Sequence, residues 1–216
     1  MPDVHVPHLD EHDQERTPAS EPSAAHRSRG KSLLKIVLEV VLISTGVFLG
    51  LAGEQWRENA QHRELAAQTL RRFQTEILAN RKAVAAVRDY HAAKRTELHA
   101  YFDADAKRRQ SISLHFEGIQ VAFVEHTAWD LALASSALAY IDSDLAFAIS
   151  HIYITQENLT ELTRGVVQSM YINPPTANTT FLGAVSVYYD DVVLVEPQLL
   201  TLYDEVLPQI GMALTK

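Results

Sequence analysis

Cysteine is absent from this 216-residue chain. Disulfide bonds, thiolate nucleophiles, zinc ribbons and iron–sulfur ligation are therefore excluded. Basic residues are also few, because 19 Lys and Arg stand against 27 Asp and Glu and leave a formal net charge of −8. Binding to nucleic acid requires lysine and arginine side chains clustered on one face. We therefore exclude nucleic acid as a partner.

Familiar catalytic motifs are missing as well. The chain contains no GxSxG nucleophile elbow, no HExxH zinc motif, no GxGxxG and no phosphate-cradling glycine loop. The best remaining set is His91, His99 and Asp103, whose spacing of eight and four places them on one helix face. Scattered polar residues on a long helix usually form a solvated surface. We predict that the protein is not an enzyme and has no catalytic residues, no metal site and no cofactor.

Long hydrophobic runs are rare, and the clearest one lies near the N-terminus. It extends from Ile36 to Gly53, is interrupted only by Glu39, and approaches the ~20 apolar residues that cross a bilayer. An interfacial Trp56 beside Arg57 is typical of a retained span. We therefore predict a transmembrane helix over 32–56, with the lipid bilayer as its partner. The alternative is a signal peptide cleaved near Gly50-Leu51-Ala52.

The orientation of this span depends on the basic residues at its two ends. Arg27, Arg29, Lys31 and Lys35 precede it, and they are nearly matched by arginines that follow it. Those arginines are Arg57, Arg63, Arg71 and Arg72. The tight cluster directly before the span favours a cytoplasmic N-terminus and a C-terminal domain outside the cytoplasm.

One stripe of the predicted span carries Glu39, Gly46, Gly50 and Gly53, which recur at steps of seven, four and three. Gly46 and Gly50 form a GxxxG pair, at which two helix backbones approach closely. We predict that this stripe is a contact surface between transmembrane helices. Glu39 has a second interpretation, in which its carboxylate reaches the headgroups and pairs with Lys35 one turn back.

The first 31 residues are predicted to be a disordered tail. They contain four prolines, many charges and no spaced apolar stripe, so burial cannot repay the entropy of ordering them. Within them, His5, His8 and His12 have the spacing of one helical face among several acidic residues. Pro7 and the lack of packed support favour a solvated tail over metal binding there.

Residues 57–216 are predicted to form one helical domain. From Arg57 to about Ala106 the chain has neither proline nor glycine, and its apolar residues repeat mostly at steps of three, four or seven. That stripe consists of Ala66, Leu70, Phe73, Ile77, Val84, Val87, Leu98 and Tyr101. The pattern predicts one long helix. The fold class is then all-α, with a transmembrane helix continuing into an antiparallel bundle of about four or five helices.

Further elements follow from the later part of the sequence. Alternating apolar residues over 111–123 suggest a short hairpin. Thr127 with Asp130 resembles a capping box at the start of a helix to about Tyr140. The next helix is predicted from 142–143 to the Asn-Pro-Pro at 173–175. A further helix begins near Thr180, and Pro197 is predicted to open a separate terminal segment that Pro208 kinks or ends.

Three stretches together resemble a group of bacterial proteins. They are GVFLGLAGEQWREN over 46–59, LRRFQTEILANR over 70–81, and HTAWDLALASSALAYI over 126–141 with the DLAFAISHIYI that follows soon after. The shared pattern is a membrane helix, a Trp just past it, an E-I-x-x-N segment and a later T-x-W stretch. The resemblance implies a bacterial membrane protein with a helical soluble domain, and it implies no activity. With the orientation predicted above, we expect a single-pass inner-membrane protein whose C-terminal domain is periplasmic.

Two further clusters are candidate pocket residues. One surrounds a helix start and comprises His126, Trp129 and Asp130, and the other covers 188–191 and reads Tyr-Tyr-Asp-Asp. Aromatic residues at helical spacing usually pack a core.

The first functional hypothesis is a non-enzymatic single-pass protein whose domain binds an envelope protein or a second copy of itself. A ligand-sensing bundle is the alternative, and a membrane-bound enzyme is the third.

Overall fold

The computed structural model of the chain describes residues 26–114, 118–172 and 179–215, with side chains from Leu33 onward. Within these ranges the fold is all-helical and contains no strand. The elements are α1 His26–Asp103, α2 Ala106–Arg109, α3 Thr127–Ala134, a 3₁₀ turn Ala137–Tyr140, α4 Ser143–Ile172 and α5 Thr179–Ala213. The histidines at positions 5, 8 and 12 lie outside the described residues. The predicted tail over 1–31 is too long at its C-terminal end, because residues 26–31 already belong to α1.

The chain divides into two compact units, residues 1–55 and 56–216. In the first unit every described side chain from Leu33 to Gln55 is exposed. Among the described residues, α1 is the helix that is long and apolar enough to cross a membrane, with a mean hydropathy of 2.2 over its most apolar stretch. None of that stretch is buried inside the protein.

The second unit buries the apolar stripe that the sequence predicts along α1. Seven of its eight members are buried, and Tyr101 is half-buried. Most polar residues between them are exposed, as expected for a helix with one core-facing side. Four polar side chains are nevertheless buried, namely Thr69, Glu76, Asn80 and His91. The long helix predicted from Arg57 to about Ala106 is confirmed, since α1 ends at Asp103.

Helix α4 begins as the sequence predicts. The Asp142 carboxylate accepts hydrogen bonds from the backbone N–H groups of Asp144 and Leu145, at 3.1 and 3.2 Å, and so caps the first turn. The apolar residues that repeat along α4 at helical spacing are buried or half-buried, namely Leu145, Ile149, Ile152, Leu159, Leu162, Val166 and Met170. The helix ends at Ile172, two residues before Pro174, because the residue before a proline disfavours helical geometry.

The predicted break at Pro197 is wrong. Pro197 and Pro208 both lie inside α5, which is one helix from Thr179 to Ala213. A proline inside a helix removes one backbone hydrogen bond. Here core residues on both sides of Pro197, including Val192 and Leu199, are fully buried. This tertiary packing outweighs the local cost of the proline.

Contacts between helices give their directions in the second unit. Arg81 pairs with Asp204 and Arg95 with Asp190, so α1 and α5 run in opposite directions. Gln156 of α4 donates to the Tyr203 hydroxyl of α5, and the Thr163 hydroxyl contacts Tyr188 of α5, so these helices are also antiparallel. Consequently α1 and α4 run in the same direction, which departs from a purely antiparallel arrangement. The long connection between α1 and α4 runs back along the domain, so that α4 can start in the same direction as α1.

The predicted hairpin over 111–123 is wrong, since the described residues of that segment contain no strand. Side chains of α1, and not a partner strand, form hydrogen bonds with backbone groups of this segment. The Tyr90 hydroxyl donates to the Gly118 carbonyl at 2.6 Å, and the apolar side chains of Leu114 and Ile119 pack against the helical core. The described part of this segment is therefore a loop that packs against the helices, in which Ala122 is buried and Phe123 is exposed.

Candidate functional site

Polar side chains on one side of α1 hold the segment that leads into α3. Asn80 makes two bonds to Glu125, donating to its carbonyl at 2.7 Å and accepting from its N–H at 2.8 Å. Glu76 accepts a bond from the backbone N–H of Ala128 at 2.8 Å. The predicted capping box of Thr127 and Asp130 is therefore wrong, because a carboxylate from a different helix caps α3. The first residue of that helix is preceded by His126, whose side chain makes no capping bond.

Glu76 also joins α3 to α4. Its second carboxylate oxygen accepts from the Tyr153 hydroxyl at 2.6 Å, and the Tyr153 ring stacks on Trp129 with 5.3 Å between ring centroids. Burial, followed by the bond to Glu76, raises the pKa of Tyr153 above its ordinary value. The E-I-x-x-N and T-x-W segments are thus one structural unit, in which Glu76 and Asn80 bind the backbone around Thr127.

The most unusual polar pair in the core is His91 of α1 with Glu196 of α5. Both side chains are fully buried, and 2.7 Å separates His91 Nδ1 from Glu196 Oε1. The other ring nitrogen, Nε2, bonds to the backbone carbonyl of Gln120 in the loop before α3. His91 therefore joins three parts of the domain: α1, α5 and this loop.

The positions of the protons in this pair follow from its partners. A carbonyl only accepts hydrogen bonds, so His91 Nε2 carries a proton. One further proton lies between Nδ1 and Oε1, because two lone pairs facing each other at this distance would repel. The pair is net neutral wherever that proton resides. The other carboxylate oxygen of Glu196, Oε2, is buried and has no hydrogen-bond partner among the described residues.

Tyrosine rings surround the pair. The rings of Tyr90, Tyr188 and Tyr189 lie 5.9, 6.0 and 5.5 Å from that of His91, centroid to centroid. Burial raises the pKa of both Tyr188 and Tyr189 above the ordinary value. These phenols therefore stay neutral at physiological pH. No free nitrogen remains on His91 for general acid–base chemistry, because both are occupied.

The predicted set of His91, His99 and Asp103 does not converge. His91 points into the core, so its interpretation as a surface residue is wrong. His99 instead donates from Nε2 to the Asp190 carboxylate at 2.8 Å on the outside of α5. Arg95 also bonds the Asp190 carboxylate, at 2.6 Å. Burial raises the pKa of Asp190, but the bonds from His99 and Arg95 outweigh it and hold this pKa below the ordinary value. In the part of the chain that the structure describes, no three ligating side chains gather around a point.

A groove of about 680 Å³ runs between α4 and α5. Its lining is mostly apolar and small: Leu162, Gly165, Val166, Ser169, Ala184 and Val187. Tyr188 and Asp191 also line it, together with Asn158 and Glu161. The predicted cluster over 188–191 therefore divides. Tyr188 and Asp191 contribute to the groove, Tyr189 belongs to the core, and Asp190 pairs with α1.

The predicted cluster around the start of α3 lines a smaller pocket of about 280 Å³. His126 and Asp130 form an exposed pair with 2.7 Å between Nδ1 and Oδ2. Trp129 is half-buried, and its indole packs against Phe73 and Tyr153 of the core. The core interpretation therefore describes Trp129 better than a role as a binding platform.

In the first unit, Glu39, Gly46, Gly50 and Gly53 are all exposed. Within the described residues, nothing outside α1 lies within 4 Å of where a Cβ would stand at the three glycines. Their role as a helix contact surface stays a prediction.

Comparison with family models, with curated proteins and with solved structures found no match for this chain. Function must therefore be argued from the residues themselves.

Sequence reasoning missed Glu76, Asn80 and Glu196 as organising residues. Their partners are 45 to 105 positions away in the chain, and no local pattern reveals such distances.

Proposed function

We propose that this chain is a single-pass membrane protein of the bacterial inner membrane, without enzymatic activity, whose helical domain lies outside the cytoplasm. Its role is to bind another envelope protein or a second copy of itself. The observation that carries the proposal is the combination of an exposed apolar segment in α1 with an exposed groove between α4 and α5. A soluble protein would bury such a segment or lack it.

The groove supports interaction because of what lines it. Val187 is exposed, although it is a large apolar side chain. Gly165 and Ala184 have little or no side chain, so the backbone of a partner helix can approach closely. The same α5 face carries a second exposed apolar residue, Leu194, two turns further along. An exposed apolar surface of this kind is typical of a binding surface.

A photocrosslinking experiment tests this role. The chain contains no cysteine, so V187C carries a single attachment point for a benzophenone maleimide in the full-length protein in its membrane. Leu78 of α1 is likewise a large apolar side chain that is exposed, and it lies outside the groove. L78C is therefore the matched control. We expect V187C to give a discrete crosslinked band and L78C to give none. Equal patterns from both variants would contradict the proposal.

A ligand-sensing bundle is the second candidate, because the groove volume of about 680 Å³ falls in the range of small-molecule sites. Tyr188 and Asp191 would then orient the ligand. In that case V187C forms no protein adduct, and small molecules extracted from the host cells slow its reaction with maleimide. L78C reacts at the same rate with and without the extract.

A further inference from the structure

The buried pair of His91 and Glu196 has a consequence that is independent of the proposed binding role. We propose that this pair is a proton-held latch, which keeps the loop over 118–126 closed against α1 and α5 and releases it when the pair gains or loses a proton. Both side chains are buried and bonded to each other, and His91 also bonds the Gln120 carbonyl of the loop.

The closed pair tolerates one protonation state. Losing the shared proton leaves an uncompensated carboxylate whose oxygen faces a nitrogen lone pair at 2.7 Å. Gaining a proton leaves an uncompensated positive charge, and a hydroxyl at Oε2 would have no acceptor in the closed structure. Both changes bury a net charge, which costs several kcal/mol. Opening the loop to water removes that cost.

Among the residues that the structure describes, the other groups around the pair do not supply the missing compensation. Tyr90 on α1 and Tyr188 and Tyr189 on α5 face it with their rings. Lys94 lies over the Tyr90 ring at 5.8 Å and pairs with Glu97. The loop contributes the neutral Gln120 carbonyl, and α4 contributes the neutral Thr163 hydroxyl to Tyr188.

The pH dependence of opening follows from counting protons. In water an imidazole loses its proton above about pH 6.5, and a carboxyl gains one below about pH 4.3. Between these pH values the open and closed states hold the same number of protons. The equilibrium constant for opening of the loop (the opening constant) therefore does not change with pH. Above about pH 6.5 opening releases one proton, and below about pH 4.3 it takes one up. The opening constant then rises about tenfold per pH unit in each direction.

A substituted cysteine measures the opening. Ala122 in the loop is buried, whereas its neighbour Phe123 is exposed. The rate at which a maleimide labels A122C therefore reports opening, and the rate for F123C gives the intrinsic reactivity of a thiol at each pH. The ratio of the two rates in the full-length protein in nanodiscs should be flat from about pH 4.5 to 6.5. It should then rise about tenfold per unit towards pH 9.

Glu196→Gln is the decisive variant. Its amide donates to His91 Nδ1, so the closed state keeps both hydrogen bonds with a neutral imidazole and no shared proton. The labelling ratio should become flat above about pH 6.5 and rise about tenfold per unit below it, which reverses the slope. Tyr90→Phe loses a bond to the same loop but does not titrate, so it should raise the ratio equally at every pH.

A second variant keeps the proposal testable if Glu196→Gln does not fold. In His91→Gln the carboxylate is the one titrating group left, so the rise with pH should begin near 4.3 instead of 6.5. A labelling ratio that follows the same pH profile in the unaltered pair and in either variant would overturn the latch.

Discussion

The two parts of α1 differ in how they place apolar side chains. Between Leu33 and Gly53 apolar residues surround the helix and all of them are exposed. Between Ala66 and Leu98 most of the large apolar residues occupy one stripe and are buried in the core that α4 and α5 also form, whereas Leu78 is exposed. The second part therefore finds its apolar partners within the protein, whereas the first part has none among the described residues. We propose that a bilayer surrounds the first part, because its length fits one.

Two phenylalanine substitutions, one in each part of α1, test this comparison, and one of them should give the largest effect. Phe73 is fully buried, and Phe48 is 70% exposed. Phe73→Ala should lower the free energy of unfolding of the domain by about 3–5 kcal/mol, because it removes buried surface and leaves a cavity. Phe48→Ala should leave it unchanged. Denaturant unfolding in detergent, followed by the fluorescence of Trp129, measures both. Equal losses would contradict the division of α1 into two environments.

Charge provides the next test. Leu42→Arg places a cation in the predicted span and should raise the apparent free energy of insertion by about 3 kcal/mol. Leu78→Arg adds the same side chain at an exposed position of the domain and should change stability by less than about 0.5 kcal/mol. The fraction of protein that resists alkaline extraction from membranes measures insertion. Full retention of Leu42→Arg would show that this segment does not need the bilayer core.

Buried and exposed carboxylates on the domain give a smaller effect. Glu76→Ala leaves the Ala128 N–H and the Tyr153 hydroxyl without their acceptor, and we expect a loss of about 2–3 kcal/mol. Glu161 instead pairs with Arg164 on the surface of α4. Glu161→Ala should therefore cost less than about 1 kcal/mol. Thermal unfolding of the two variants side by side checks the order, and the reverse order would refute the role given to Glu76.

The smallest expected effect concerns Asp190. Its pKa is lower in the folded protein than in the unfolded chain, so its contribution to stability is present above the ordinary carboxyl value and is lost as pH falls through the folded value. Asp190→Asn should cost up to about 1 kcal/mol at pH 7, since the ion pairs with Arg95 and His99 are half exposed. The difference should shrink below about pH 4. A difference that stayed constant between pH 7 and pH 3 would contradict this assignment.

Much of the helical core could be predicted from the sequence, because its apolar residues repeat with the period of a helix. That period alone places Phe73 and Ile77 in the core stripe of α1, and both are fully buried. The N-terminal cap of α4 followed from the local chemistry of Asp142. These features depend on residues that are close in the chain.

Features that depend on distant residues could not be predicted. Pro197 reads locally as the start of a helix, but packing of α5 on both sides keeps one helix continuous. The loop before α3 alternates as a strand does, but α1 provides its hydrogen-bond partners. His91 reads as a surface residue because Glu196, which makes its burial tolerable, lies 105 positions away.

The central claim is that α1 crosses the membrane once and that the domain lies outside the cytoplasm. The most direct test fuses a periplasm-active reporter and, separately, a cytoplasm-active reporter after Lys216 in a bacterial membrane. The account predicts activity from the periplasmic reporter and none from the cytoplasmic one. Activity from the cytoplasmic reporter alone would contradict it and would turn the search for partners to the cytoplasm.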